Sequence, residues 1–323
     1  MFAYAVKRLL LAIPTLIVST FVIFLICASF MNPTSFLFGH GQPPPPRVVA
    51  FERHKYWLDQ ALLPRYWHWI TGIVVHGRWG PSDQGFNIGH EIFSRLWVTS
   101  RLVIAAMVIA AVLAVIVGVI SAVKQYSITD YTLSFAGFLF LSLPAFWLAI
   151  LLKEAGIHLN TSFGHQVFDT IGEQGFGSGA GSFSDILSHL ILPTITLALI
   201  SFASWSRFNR GSMLEVLNSD YIRLARAKGL RNRTVMVRHA LRTALIPMIT
   251  VMALDIAAIF GSAVVTETVY QWHGMGDFLL TSIQKQDQFA VLAWLLVAGF
   301  IVILFNLLAD LLYAWLDPRI RYD

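Results

Sequence analysis

Leu102-Val-Ile-Ala-Ala-Met-Val-Ile-Ala-Ala-Val-Leu-Ala-Val-Ile-Val-Gly-Val-Ile-Ser-Ala-Val123, bounded by Arg101 and Lys124, is the stretch of this chain that decides its fold. It holds 22 residues without a charge, and only Ser121 has a polar side chain. An α-helix rises about 1.5 Å per residue, so about 20 apolar residues cover the hydrocarbon core of a bilayer. An all-round apolar run of this length reads as a membrane span, because a water-facing helix would show a polar stripe.

The same reading works outward in both directions. Charge-free intervals of 22, 21 and 22 residues lie between Asp130 and Lys153, Asp185 and Arg207, and Asp287 and Asp310. A fifth, of 24 residues between Arg242 and Glu267, is interrupted only by Asp255. At the N-terminus Lys7 and Arg8 precede an apolar run from Leu9 to Met31, too long for a signal h-region and long enough to span. No small-residue cleavage pattern precedes Cys27, since Leu25 and Ile26 stand there. The expected fold is therefore all-α and integral to the membrane, with six transmembrane helices and both termini on one side.

Composition agrees. Of 323 residues 56% are hydrophobic and 13% charged, with a mean hydropathy of +0.66, against about a quarter charged in soluble domains. The single cysteine excludes an internal disulfide framework and a Cys-based zinc site. The net charge of +5 is an orientation signal and gives no reason to expect nucleic acid. Segment 207–242 alone carries nine Lys/Arg against Glu215 and Asp220, a balance of +7. With Lys7, Arg8, Lys124, Arg319 and Arg321 it falls on one side, which the positive-inside rule makes cytoplasmic.

The chain divides as residues 1–31 (terminal segment and first span), 32–96 (an extracytoplasmic lobe or surface helices), 97–318 (the core, with spans two to six) and 319–323 (a cytoplasmic tail). The lobe holds Trp57, Trp67, Trp69 and Trp79 and the spacer Pro43–Pro46. The second long outer connection, 154–185, contains a glycine-rich run from Gly172 to Gly181 without the Lys-Ser/Thr of a phosphate loop, and is expected to be a flexible loop. His189 and His239 have no metal-ligand spacing around them.

The most informative segment follows the fourth span. Met213, Leu214, Leu217, Tyr221 and Leu224 recur at helical spacing, which predicts two short amphipathic helices. Asp220 is placed to cap the second, Arg226 and Lys228 suit its C-terminal dipole, and Gly229 suits a left-handed stop. Such a helix would lie across the membrane face and present Tyr221, Leu224 and Leu230 to lipid or to a soluble partner.

Asp220-Tyr-Ile-Arg-Leu-Ala-Arg-Ala-Lys-Gly-Leu230 resembles the coupling motif of ABC importer permeases, with Ala225 and Gly229 four residues apart and Arg223 at the usual glutamate position. It is most similar to the dipeptide/oligopeptide/nickel branch and to that branch's first, B-type, permease subunit. Arg8-Leu-Leu-Leu-Ala-Ile-Pro-Thr-Leu16, Ser142-Leu-Pro-Ala-Phe-Trp147, His189-Leu-Ile-Leu-Pro193, Glu267-Thr-Val-Tyr270, Asn306-Leu-Leu-Ala-Asp310 and Asp317-Pro-Arg-Ile-Arg321 extend the likeness in order along the chain. Residues 36–56 depart from it.

The resemblance implies a type I importer fold in a bacterial cell membrane and a permease that is not itself an enzyme. Its implied partners are a second homologous permease, two cytoplasmic ATPase domains or subunits that bind ATP and Mg, and an extracytoplasmic peptide-binding protein. It assigns ATPase coupling to Asp220, Tyr221, Arg223, Leu224, Ala225, Arg226, Ala227, Lys228, Gly229 and Leu230. Pro144, Trp147, Asp255 and Glu267 are pathway candidates, Glu267 at the outer gate. Nickel or glutathione as cargo stays open within the family. Outside it stands an ion-coupled secondary transporter, for which Asp255 would be the first residue to test.

Overall fold

The computed structural model describes residues 2–38, 44–82, 85–175 and 180–316, with side chains from residue 10 to 311 other than 257. Every regular element among them is helical. Five helices are long and apolar enough to cross a membrane, six when one bent pair is taken as a single span. The tail 319–323 and the basic residues Arg319 and Arg321 lie outside the described residues.

The described residues group into two compact units, residues 2–99 with 273–304, and residues 100–272 with 305–316. In the first, α1 (Phe2–Phe30) packs against α3 (Leu62–His76). Tyr66 of α3 donates to the Ile17 carbonyl at 3.0 Å and shares a 2.8 Å bond with the Thr20 hydroxyl, while the Phe21 and Phe24 rings meet it edge-on. The segment expected as a lobe or surface helices is built of helices. It comprises a 3-10 turn (Ser35–Phe38), α2 (Pro46–Lys55) and α3, which is held by Tyr66 and Trp69. Arg65, 5% exposed, lies over the Phe24 ring at 4.9 Å, and burial pulls its guanidinium below the ordinary value. Gly80, at φ +104°, lets the chain pass Phe289 where a Cβ would come within 2.8 Å of the ring.

α4 (Ile88–Val123) starts well before the expected boundary at 97. Its 36 residues make a rod of roughly 54 Å, so it extends far beyond a ~30 Å hydrocarbon layer. The charge-free interval marks the part that lipid demands, and hydrogen bonding carries the helix on through His90, Glu91 and Arg95. Arg95 donates to Glu91 at 2.7 Å and to Asp277 of α11 (Met275–Gln284) at 2.5 Å.

In the second unit the third expected span is two helices, α5 (Ile128–Ser142) and α6 (Ala145–Phe163), bent by 109°. Pro144 is the cause. It has no N–H to give and restricts the residue before it to extended geometry, and Leu143 is extended at φ −80°, ψ 130°. Pro144 therefore caps α6 and does not merely kink a continuous helix. α7 (Phe183–Leu217) and α10 (Arg242–Tyr270) carry Pro193 and Pro247 inside them without breaking, as is tolerated in membrane helices whose neighbours compensate. α12 (Gln288–Leu316) is the last long helix and contributes to both units. The run Gly172–Gly181 is tied down where it is described. The Gly175 N–H donates to both Asp185 carboxylate oxygens at 3.0 Å, the Gly181 N–H to one at 2.9 Å, and the Gly172 N–H to the Tyr270 carbonyl at 2.9 Å. Residues 176–179 lie outside the described residues.

Candidate functional site

One of the two short helices expected between the fourth and fifth spans is the end of the fourth. α7 runs unbroken to Leu217, so Met213, Leu214 and Leu217 belong to a 35-residue helix. The other is α8 (Asp220–Ala227). Asn218 and Ser219 make the turn between them, and Ser219, in extended conformation, is the N-cap residue. Asp220 therefore does not cap the helix. It occupies the first helical position, where an acid suits the dipole, and its carboxylate accepts from Arg223 at 2.5 Å. Both side chains are largely exposed, which limits such a pair to about 0–1 kcal/mol.

The helix ends as expected at Gly229, which has φ +75°. The Gly229 N–H donates to the Arg226 carbonyl at 2.9 Å and the Leu230 N–H to the Ala225 carbonyl at 3.4 Å. These are the two bonds that close a helix through a left-handed glycine.

α8 has two faces. Ile222 and Ala225 point into a small core with Ala122 of α4, Met213 of α7, Ala244 of α10, and Val235 and Ala240 of a π-helix, Val235–Leu241, that runs into α10. A three-residue turn of helix, α9 (Asn232–Thr234), links α8 to that π-helix. Burying a side chain such as Ile222 contributes about 1.5–3 kcal/mol, so the underside of α8 is anchored to the ends of three long helices. On the other face Tyr221, Leu224 and Leu230 are 44%, 56% and 41% exposed. Arg223, Arg226, Ala227 and Lys228 are exposed around them. Of the ten residues assigned to coupling, then, Ala225 faces inward and the rest lie at the surface. Ile222, the principal anchor, was not among them; its place one position from Tyr221 and three from Ala225 marks it as the opposite face of a 3.6-residue helix.

The four pathway candidates all lie in this unit and do not form one cluster. Pro144 and Trp147 sit at the bend and on the exposed side of α6. The side of α6 that meets α10 is that of Ala149, whose carbonyl accepts from the Tyr270 hydroxyl at 3.2 Å, and Trp147 lies about 200° round from it. Asp255 accepts a 2.7 Å bond from the Trp205 indole of α7. Glu267, twelve residues or roughly 18 Å further along α10, is fully buried. His189 holds the Asp185 carbonyl at 2.8 Å beside Asp169, and no group of three metal-ligating side chains occurs among the described residues.

Over residues 114–322 the sequence matches the model of binding-protein-dependent transport system inner membrane components. The chain belongs to that family. It is 37% identical to the oligopeptide transport system permease protein OppB of Mycobacterium tuberculosis over 98% of both chains. It is 34% identical to AppB, the oligopeptide permease protein of Bacillus subtilis, over the whole of both. The dipeptide permease protein DppB of Escherichia coli is 35% identical over 100% of this chain and 99% of its own. The fold is that of the MetNI methionine ABC transporter in its inward facing conformations, at TM-score 0.56 and 15% identity over 70% of this chain and 96% of that one. This permease is thus a multi-pass, all-α membrane protein of the type I importer fold, and α8 with its half-exposed apolar face lies inside the matched region.

Proposed function

We propose that this permease is one of two homologous subunits that together form the path of an ATP-driven peptide importer. The likeness over essentially full length to three relatives named for dipeptide or oligopeptide transport carries the reading. The sequence contains no Gly-x4-Gly-Lys-Ser/Thr, so the nucleotide belongs to separate ATPase subunits or domains. Those bind the exposed face of α8 in the cytoplasm, the side on which both termini also lie in this reading. An extracytoplasmic binding protein delivers peptide, and ATP closure of the ATPase pair, felt through α8, switches the bundle between outward- and inward-open states. The 2.7 Å bond from Trp205 gives Asp255 a structural occupation, which weakens the case for an ion-coupled transporter.

Reconstitution of the chain with a homologous partner permease, ATPase subunits and a peptide-binding protein tests the proposal. Radiolabelled di- to pentapeptides should enter proteoliposomes only with ATP and binding protein present. Uptake that follows a proton or sodium gradient without ATP would sink it, and ATP-dependent uptake of nickel chelates but not peptides would reassign the cargo.

A further inference from the structure

Asp130, which in the sequence marks only the edge of an apolar stretch, and Arg210, one of the basic residues of segment 207–242, form a densely bonded ion pair. Asp130, in the first turn of α5, is 2% exposed. Arg210, on α7, grips it with two prongs: Nε donates to Oδ1 at 2.9 Å and a terminal nitrogen to Oδ2 at 2.7 Å. The Ser121 hydroxyl from the end of α4 donates to Oδ1, the Tyr126 backbone N–H from the α4–α5 turn to Oδ2 at 3.0 Å, and the Ser134 hydroxyl to Oδ1 at 3.4 Å. The Arg210 Nε also lies 3.1 Å from the Ser121 oxygen. One carboxylate thus joins α4, the turn, α5 and α7. Removing two charges from water is expensive, so such a pair adds little net stability and is better explained by the single geometry it enforces.

Its position shows what that geometry serves. Met213, three residues beyond Arg210, and Ala122, next to Ser121, both belong to the core on which Ile222 and Ala225 of α8 are seated. In the other direction α5 leads straight to the break at Pro144.

We infer that Asp130 and Arg210 are positioning residues for transport, a clasp that makes α8, the ends of α4 and α7 and the start of α5 move as one body, so that displacement of α8 reaches the broken α5–α6 pair. The inference rests on the reading of α8 as the ATPase seat.

The test uses the reconstituted complex with Asp130→Asn, Arg210→Lys and the double Asp130→Asn/Arg210→Gln. Arg210→Lys keeps the charge and loses the two-pronged grip. Each complex should retain its ATPase subunits and hydrolyse ATP near the wild-type rate, while substrate moved per ATP falls about tenfold. The double variant should be no worse than either single one, because one clasp is being opened. Wild-type transport per ATP in Arg210→Lys or Asp130→Asn would overturn the inference. A second measurement leaves the clasp intact: spin labels at Gln125 and Asn218 should keep their separation between nucleotide-free and ATP-trapped states. A nucleotide-dependent change in that distance would equally overturn it. Failure of α8 as the ATPase seat would show separately, as ATPase retention that is indifferent to Tyr221 and Leu224.

Discussion

Gly229 shows how a single residue separates the demands of the fold from those of a partner. Its φ of +75° is open to glycine and strained by about 1–2 kcal/mol for other L-residues, yet a Cβ built there meets nothing within 4 Å in this chain. Gly229→Ala should therefore insert normally with a modestly frayed end to α8. Gly229→Val, whose branch is a true outlier in the left-handed region, should insert but lose peptide-stimulated ATPase activity and uptake in the reconstituted complex. Full coupling in Gly229→Val would mean that the end of α8 carries no force. The glycine was legible in the sequence because a helix stop needs only local chemistry. Glu267 was not: a charge at the end of an apolar run reads as exposed, and only the packing of α10 shows it fully buried. Likewise Asp220 has the chemistry of a cap but stands one residue inside the helix, because Ser219 already makes the extended step.

At the scale of the element, α8 was readable as a short amphipathic helix, while its partner helix was not separate. Periodicity runs through Met213, Leu217, Tyr221 and Leu224 without a gap, so nothing local announces that α7 continues to Leu217 and then turns. The two faces of α8 make opposed predictions. Ile222→Ser puts a hydroxyl among Met213, Val235 and Ala244 and should cost several kcal/mol in the permease itself, seen as lowered thermal stability in detergent. Tyr221→Ser with Leu224→Ser changes only exposed side chains and should leave that stability unaltered while releasing the ATPase or uncoupling its hydrolysis from uptake. Neutralising Arg231 and Arg233 should matter less. A basic helix seated on lipid head groups would reverse that order, with the arginines dominant and the double-serine complex intact on co-purification.

At the scale of the whole molecule the question is how often the chain crosses. Hydropathy counts α5 and α6 as one span because it sees 22 uncharged residues and cannot see a 109° bend at Leu143 and Pro144. A bend so sharp has two readings, a broken span or a re-entrant loop, and they differ in the side reached by everything downstream. Taken as one crossing, the pair brings the apolar spans to six; taken as a re-entrant loop, it leaves five. Single cysteines decide the matter against a low background, since the native Cys27 is buried at 5% exposure and can be replaced by Ala. Gln125 and His165, both exposed, flank the pair; His76 and Asn232, also exposed, serve as references. In intact cells a membrane-impermeant maleimide should label His165→Cys and His76→Cys but reach Gln125→Cys and Asn232→Cys only after the membrane is opened. That outcome gives six crossings, termini on one side and α8 on the same face as the α4–α5 turn, as the clasp between Asp130 and Arg210 requires. Labelling of Gln125→Cys and His165→Cys from the same side would make the pair re-entrant and put the termini on opposite sides of the membrane.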